Sequence, residues 1–256
     1  PVKKPEANWT PKNLKPSLWL DAADLNSSGE TWLDLSGNEN HAKRFGSPKT
    51  IPKKASGFSV MKYESSKNDY HEWREIKDIR TVFWLLSKKA GNSGSPLSHS
   101  SVHHFYSNGS KFWHPKHTHE NIRKGSLRIN GITGNASSGY PTRLSVVSLR
   151  TSGNVTASRV GKDRGFDGKY NWDGEIGELL VYDKALSDAD IEKVESYLID
   201  KWKIQRKTRQ FGSPIAYLPF DDREANKYPN TANPGKSANT NGNNKEAEGK
   251  YGMGIL

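Results

Sequence analysis

The clearest alternation of apolar and polar positions lies in residues 174–204. Ile176, Leu179, Leu180, Val181 and Tyr182 form a compact apolar run opened by glycines, the pattern of a strand buried on at least one face. Asp183 and Lys184 turn the chain. Ser187 then stands where a helix N-cap belongs, with Asp188 and Asp190 at the positive end of the helix dipole and Lys201, Lys203 and Arg206 toward the other end. Ile191, Val194, Leu198 and Trp202 fall on one stripe at helical spacing. The helix therefore has one face to bury, and the preceding strand is the nearest surface for it.

Elsewhere the pattern is that of strands. Leu18, Trp19, Leu20 and Asp21 read as a short first strand. From 51 to 70 short apolar pairs alternate with Lys, Ser and Gly, as half-exposed antiparallel strands do, with Val60, Lys62 and Glu64 facing away from Met61 and Tyr63. Trp73 and Ile76 continue this pattern. Residues 81–86 are apolar on both faces, which predicts a central strand covered on each side. Asn130-Gly131 is a two-residue hairpin signal after Leu127, Arg128 and Ile129. A β-branched strand follows at 144–149 and another at 155–160. Residues 163–172 then form a glycine-containing loop leading back to Ile176.

These pieces carry a resemblance. The strand and turn GEIGELLVYDKALS, followed by an amphipathic helix ending in Tyr197-Leu198 and Lys201-Trp202, resemble the closing element of laminin-G-like jelly-roll domains of the concanavalin A-like lectin/glucanase superfamily. Such domains occur in bacterial secreted and surface proteins. Upstream pieces agree in order: Leu18-Trp19-Leu20-Asp21-Ala22, Trp32-Leu33-Asp34-Leu35-Ser36-Gly37-Asn38, Arg80-Thr81-Val82-Phe83-Trp84, Leu127-Arg128-Ile129-Asn130-Gly131 and Arg159-Val160-Gly161-Lys162-Asp163. The resemblance spans residues 14–204. It implies an all-β, two-sheet antiparallel jelly-roll sandwich with one C-terminal amphipathic helix on the outside, and a secreted or cell-surface setting. Fold alone does not assign an activity.

Composition narrows the partners. The 256 residues carry a formal charge of +11, a field that concentrates polyanions near the surface. No helix-turn-helix, zinc-finger or RNA-binding signature is present and the basic residues are scattered, which argues against nucleic acid. An acidic or sulfated polysaccharide suits the resembled fold better, and a basic surface with no specific partner stays open. There is no cysteine, so neither a disulfide scaffold nor thiol chemistry is available. No apolar run approaches a membrane span, and the first residues lack a signal-peptide core, so the chain reads as a soluble piece of a longer protein.

Candidate chemistry concentrates in residues 91–123, which hold six of the eight histidines: His99, His103, His104, His114, His117 and His119. Tyr106, Phe112 and Trp113 lie among them. His114, His117 and His119 lack the helical i, i+4 spacing of zinc hydrolases, although three close imidazoles are ligands that Zn²⁺ or Cu²⁺ accepts. The sugar-binding reading uses Tyr106, Trp113, His114, His117, His119 and Arg123. Flat rings stack on a pyranose, imidazole bonds hydroxyls, and an acidic sugar adds attraction to Arg123 and Lys124. An exposed polar hairpin is the plain alternative.

Asp21, Asp24 and Asp34, with Asn38 and Asn40, supply oxygens of the kind Ca²⁺ takes, in loops where the resembled fold often holds that ion; the same residues are turn formers. Asp163, Asp167 and Asp173 are a second such set. The paired carboxylates of jelly-roll glucanases, E-x-D-x-x-E, are absent. The nearest set is Asp173, Glu175 and Glu178, the first two sharing a face. Uronate lyase chemistry needs His and Tyr beside a neutralising Arg, which His103, His104, Tyr106 and Arg123 would mimic.

The domain plan is an extended linker at 1–13, the jelly-roll domain at 14–204, a basic linker at 205–212 and a partial second module at 213–256. This last stretch, with a strand expected at 215–220, resembles the opening of another laminin-G-like domain, and it is expected to need a partner surface because it is too short to build a core.

Overall fold

The computed structural model describes residues 9–23, 25, 31–101, 105–165, 168 and 170–206, together with 227–229, 237–239, 246–249 and 252–255. The chain divides into two compact units, Pro1–Lys207 and Thr208–Leu256. Among the described residues of the first unit the strands are β1 (Leu18–Asp21), β2 (Thr31–Trp32), β3 (Ala42–Phe45), β4 (Lys49–Ala55), β5 (Phe58–Tyr63), β6 (Tyr70–Lys88), β7 (Ser126–Ile129), β8 (Ile132–Thr133), β9 (Ser145–Val160) and β10 (Gly174–Tyr182). Two α-helices, α1 (Glu120–Arg123) and α2 (Asp188–Trp202), accompany them. Among the described residues of the second unit, taken by itself, β11 (Lys227–Pro229) pairs antiparallel with β12 (Ser237–Asn239), and β13 (Glu246–Gly249) with β14 (Gly252–Ile255). The strand expected at 215–220 lies outside the described residues.

The first unit is mostly antiparallel sheet. Its strands run β4-β5-β10-β6-β9-β7-β8, with β1 on β10, β3 on the first part of β6, and β2 on β3. The apolar runs near 73–76 and 81–86 belong to one strand of 19 residues. Those at 144–149 and 155–160 likewise merge into a strand of 16. The polar gaps between them coincide with register shifts at Ile76, Ile79 and Thr81, where extra residues kink the ladder without ending it.

That kink closes the core. Run straight, the chain from His71 to Lys88 would span ~56 Å at the usual rise per residue. Yet Tyr63 Oη lies 2.9 Å from His71 Nδ1, while the Tyr63 backbone pairs with Gly174 and Gly174 with Lys88. The two arms of β6 therefore bend toward each other over a shared core, to which the first contributes Trp73 and Ile79 and the second Val82, Trp84 and Leu86.

The opposite face of the central strands receives α2. Phe83, Leu85, Val146, Leu180 and Tyr182 pack against Ile191, Val194, Leu198, Ile199 and Trp202. Ser187 caps the helix by accepting from the Asp190 amide, as its position in the sequence predicts. A bulge in β10 sets Gly177 and Glu178 opposite Leu85, so that Glu178 turns to the helix side. There its carboxylate accepts from Trp19 Nε1 and Trp202 Nε1, both at 2.7 Å, and from Lys201 Nζ at 2.8 Å. Burial and the neighbouring Asp21 push the Glu178 carboxyl up, while Lys201 and the Trp202 N–H pull it back. A Cβ at Gly177 would stand 2.5 Å from Leu85 and 3.1 Å from the Trp202 ring, so only glycine lets the helix approach this closely. Glu178 is thus a structural anchor, sealed from any substrate.

The hairpin signal also holds. Asn130 and Gly131 join β7 and β8 with φ values of 51° and 85°, the left-handed pair that a two-residue turn requires.

Candidate functional site

Residues 91–101 and 105–123 cross the face of the sheet opposite α2. They are pinned there by an aromatic layer: Phe105 packs on Trp84 with centroids 5.9 Å apart, Phe112 and Trp113 follow, and Tyr140 contacts both and reaches Trp172 at 5.3 Å. Leu97 and Ile122 complete the attachment. Trp113 is only 5% exposed within this layer, so its ring fills the core and offers no face to a ligand. That corrects its expected role in binding: indole area was better spent on holding the loop down.

Tyr106 alternates with Phe105 and is half-buried. Its ring lies 5.5 Å from His114, 6.4 Å from His117 and 5.6 Å from Tyr170, and the two imidazoles are 4.3 Å apart. Three of the expected residues therefore form one cluster, and Tyr170 joins it. Burial, with Tyr170 and Asp163 nearby, raises the Tyr106 phenol above its ordinary value, against a Ser93 hydrogen bond and Arg164. It stays a donor at any physiological pH. Asp163 sits beneath, 1% exposed, its carboxyl pushed up to about 6 by burial against Arg164 and Arg159.

His119 and Arg123 serve the short helix α1. His119 caps it, and Arg123 Nε donates to the Thr118 carbonyl at 3.1 Å while the side chain stays exposed.

The histidines share a local device. His99 Nδ1 accepts from the Ser101 amide at 3.1 Å, His114 Nδ1 from Lys116 and His117 at 3.1 Å each, and His119 Nδ1 from Asn121 at 3.2 Å. These imidazoles form turns much as Asp or Asn side chains do. Because Nδ1 accepts, the neutral ring carries its proton on Nε2, which in His99 lies 3.5 Å from Glu75 Oε1. His114 is held neutral, lowered from its ordinary value by burial and by His117 and Lys116. A metal-bound histidine has the reverse arrangement, ligating through one nitrogen while the other donates. At His114 and His119 this arrangement therefore does not fit Zn²⁺ or Cu²⁺.

No protein-family model matches the chain, and no curated protein does. The site must be read from its chemistry.

The expected Ca²⁺ ligands are otherwise engaged. Asp34 Oδ1 accepts from the Trp19 and Ser36 amides at 2.9 Å each, and Oδ2 from Ser36 Oγ at 2.7 Å and the Asn40 amide at 3.0 Å. Asp21 pairs with Lys201 through one oxygen and caps the Ala23 amide with the other. A carboxylate filled with N–H donors or locked to an ammonium does not fit a calcium shell. Asp24 lies outside the described residues, as do His103, His104 and Asp167. Among the described residues no group of three ligands is placed to hold a metal.

A separate cleft of about 530 Å³ opens where β5 and β6 end and β10 begins. Asp173 and Glu175 both line it, in keeping with their shared face, and each is paired: Asp173 with Lys89 at 3.5 Å, Glu175 with Lys54 at 3.1 Å.

Tyr170 and Arg164 were readable only as parts of a loop, and Asp163 only as a member of a possible oxygen cluster with Asp167 and Asp173. What brings Tyr170 to Tyr106 is a tertiary clasp, the Trp172 amide on the Gly161 carbonyl at 2.7 Å and Asn171 Nδ2 on Asn68 at 2.9 Å, and no spacing in the sequence announces it.

Proposed function

We propose that this chain is a non-catalytic carbohydrate-binding or adhesive module of a larger exported bacterial protein, built as a laminin-G-like jelly roll and recognising a polysaccharide. The observation that carries the reading is the half-open cluster that Tyr106, His114 and His117, on a loop pinned by buried aromatics, form with Tyr170. Ring faces for a pyranose and an imidazole N–H on His114 for its oxygens are held in place before any ligand arrives, which lowers the ordering cost of binding. The bacterial and exported setting, and the jelly-roll topology, rest on the sequence resemblance; the partial second module belongs with them.

The test is a glycan array probed at two salt concentrations with the wild type and with Tyr106→Ala and His117→Ala. Binding to one glycan class, lost in both variants while their melting curves stay unchanged, supports the reading. Equal binding by folded variants removes it. A protein-interaction module is the second reading, favoured by Leu33 and Leu35, which are 57% and 43% exposed on one short segment. Absence of glycan binding points there. The enzymatic reading has the shared cleft of Asp173 and Glu175 in its favour, and new reducing or unsaturated ends in the glycan would identify it.

A further inference from the structure

A cleft of about 410 Å³ lies between a single 3₁₀ turn at Pro11–Leu14, the loop 36–38 and the residues that follow β10. Lys12, Lys15 and Lys184 line it, and among the described residues none of the three is paired with a carboxylate. Asp183 is the acid in the lining, and Glu39 comes next along the loop, so three ammonium groups face two carboxylates at most. The walls are tied in place. The Lys15 amide donates to the Lys12 carbonyl at 3.0 Å, Asn38 Nδ2 to the Pro16 carbonyl at 2.9 Å, and the Ser17 amide to the Val181 carbonyl at 2.7 Å. Tyr182 Oη anchors the turn by donating to the Pro11 carbonyl at 3.3 Å.

An apolar step adjoins the cleft. Along residues 32–35 Trp32 and Asp34 are buried while Leu33 and Leu35 are turned outward, and these two are the large apolar side chains left exposed among the described residues. Their segment is held on both sides: Trp32 pairs with Ala42, Asp34 bridges to Leu20, and the Leu35 amide donates to the Trp19 carbonyl at 2.8 Å. Alternation sets the two leucines on one face, ~6.7 Å apart along the segment. Leu35 is bonded to Ser36, which lines the cleft, so step and cleft form one continuous surface.

We propose that this surface docks an acidic peptide segment that carries apolar side chains, Leu33 and Leu35 taking the apolar residues and Lys12, Lys15 and Lys184 the carboxylates. The proposal rests on the protein-interaction reading of the two leucines and narrows it to one kind of partner; it does not need the carbohydrate reading, because no residue of the Tyr106 cluster takes part. Charge complementarity selects the acid: unpaired ammonium groups outnumber carboxylates here, on a chain of net charge +11. A peptide suits the surface better than a glycan, since no aromatic ring lines the cleft for a pyranose to stack on. It also suits it better than a bilayer. Leucines on a hydrogen-bonded segment beside a hollow make neither an amphipathic helix nor a projecting apolar point to enter the headgroups.

The experiment pans a displayed library of short random peptides against the full chain, then titrates the enriched peptides by fluorescence anisotropy at low and moderate salt, with phosphatidylserine vesicles in a parallel titration. The proteins are the wild type, Lys12→Gln/Lys184→Gln and Leu33→Ser/Leu35→Ser; every changed side chain is exposed, so the melting curves should not move. Enriched peptides should carry Asp or Glu beside Leu, Ile or Phe. The lysine variant should bind them ~3- to 10-fold more weakly, with a flatter salt dependence. The leucine variant should lose ~10-fold and keep the salt dependence. Any glycan binding should be equal in all three proteins. Enriched peptides that lack acids, need the leucines and bind the lysine variant as well as wild type would overturn the acidic partner and leave the protein-interaction reading standing. Peptide binding that neither variant weakens, preference for the vesicles, or no enrichment at all overturns the docking site itself.

Discussion

Lys88 is a charge in a place built for apolar groups. Its side chain points into the aromatic layer, 3% exposed, with Nζ donating to Ser107 Oγ at 2.6 Å and lying 5.0 Å from the Tyr140 ring and 5.8 Å from that of Trp172. Among the described residues no carboxylate pairs with it. Burial pulls the ammonium down from 10.5 to about 8. The unfolded chain therefore keeps this proton up to about pH 10.5 while the folded chain releases it above about 8, and stability rises with pH across that window. At ~1.36 kcal/mol per pKa unit the penalty is ~3 kcal/mol at pH 7 and falls to ~1 kcal/mol at pH 9.5.

Lys88→Met removes the penalty and keeps the stem. Compared with an uncharged amine it gives up one hydrogen bond to Ser107, ~1 kcal/mol, while Ser107 Oγ still donates to the Gly94 carbonyl at 2.8 Å. The variant should be more stable than wild type by ~2 kcal/mol at pH 7 and about equal at pH 9.5. Urea unfolding followed by tryptophan fluorescence at the two pH values measures the gap. A gap that does not narrow with pH, or a variant less stable at pH 7, refutes the argument.

Trp113→Ala should cost ~3 to 5 kcal/mol by opening the layer beneath the loop, whereas Tyr106→Ala should leave the melting temperature nearly unchanged; equal melting of both would place Trp113 outside the core. Leu198→Ala should cost ~2 to 4 kcal/mol, since its side chain is fully enclosed between α2 and the sheet, and an unaltered denaturation midpoint would show the helix undocked. His71, buried against Tyr63 and lowered to about 3 by burial and then by Arg44, stays neutral when folded. Its contribution is complete above pH 6.5 and is lost as pH falls toward 3, up to ~4 to 5 kcal/mol. Asp163, raised to about 6, acts the other way, losing stability as pH rises from 3.8 to 6. A His71→Gln protein should therefore unfold less steeply in acid than wild type, and parallel acid curves would count against a neutral buried His71.

Local pattern determined the elements. The β10 run, the Ser187 cap, the α2 stripe and the Asn130-Gly131 turn are all decided by residues within a few positions of each other, and each stands in the structure as the sequence implies. The sequence also located the stretch that supplies Tyr106, His114 and His117, because imidazole and aromatic residues are dense there. What it did not decide is which rings are inside. Trp113 and Tyr106 look alike as aromatic residues in a polar loop, yet one is buried on Phe105 and the other half-open beside Tyr170. That choice depends on which face of the loop meets Trp84, a contact across the fold. The carboxylates went the same way. Asp21, Asp34 and Glu178 read as ligands or catalysts because composition records only their charge, and their donors arrive from far along the chain: Lys201 on Asp21, the Trp19 amide on Asp34, Trp19 and Trp202 on Glu178. A side chain's chemistry is written locally. Its partners are set by the bend of β6 and the bulge of β10, which exist only when distant strands pair.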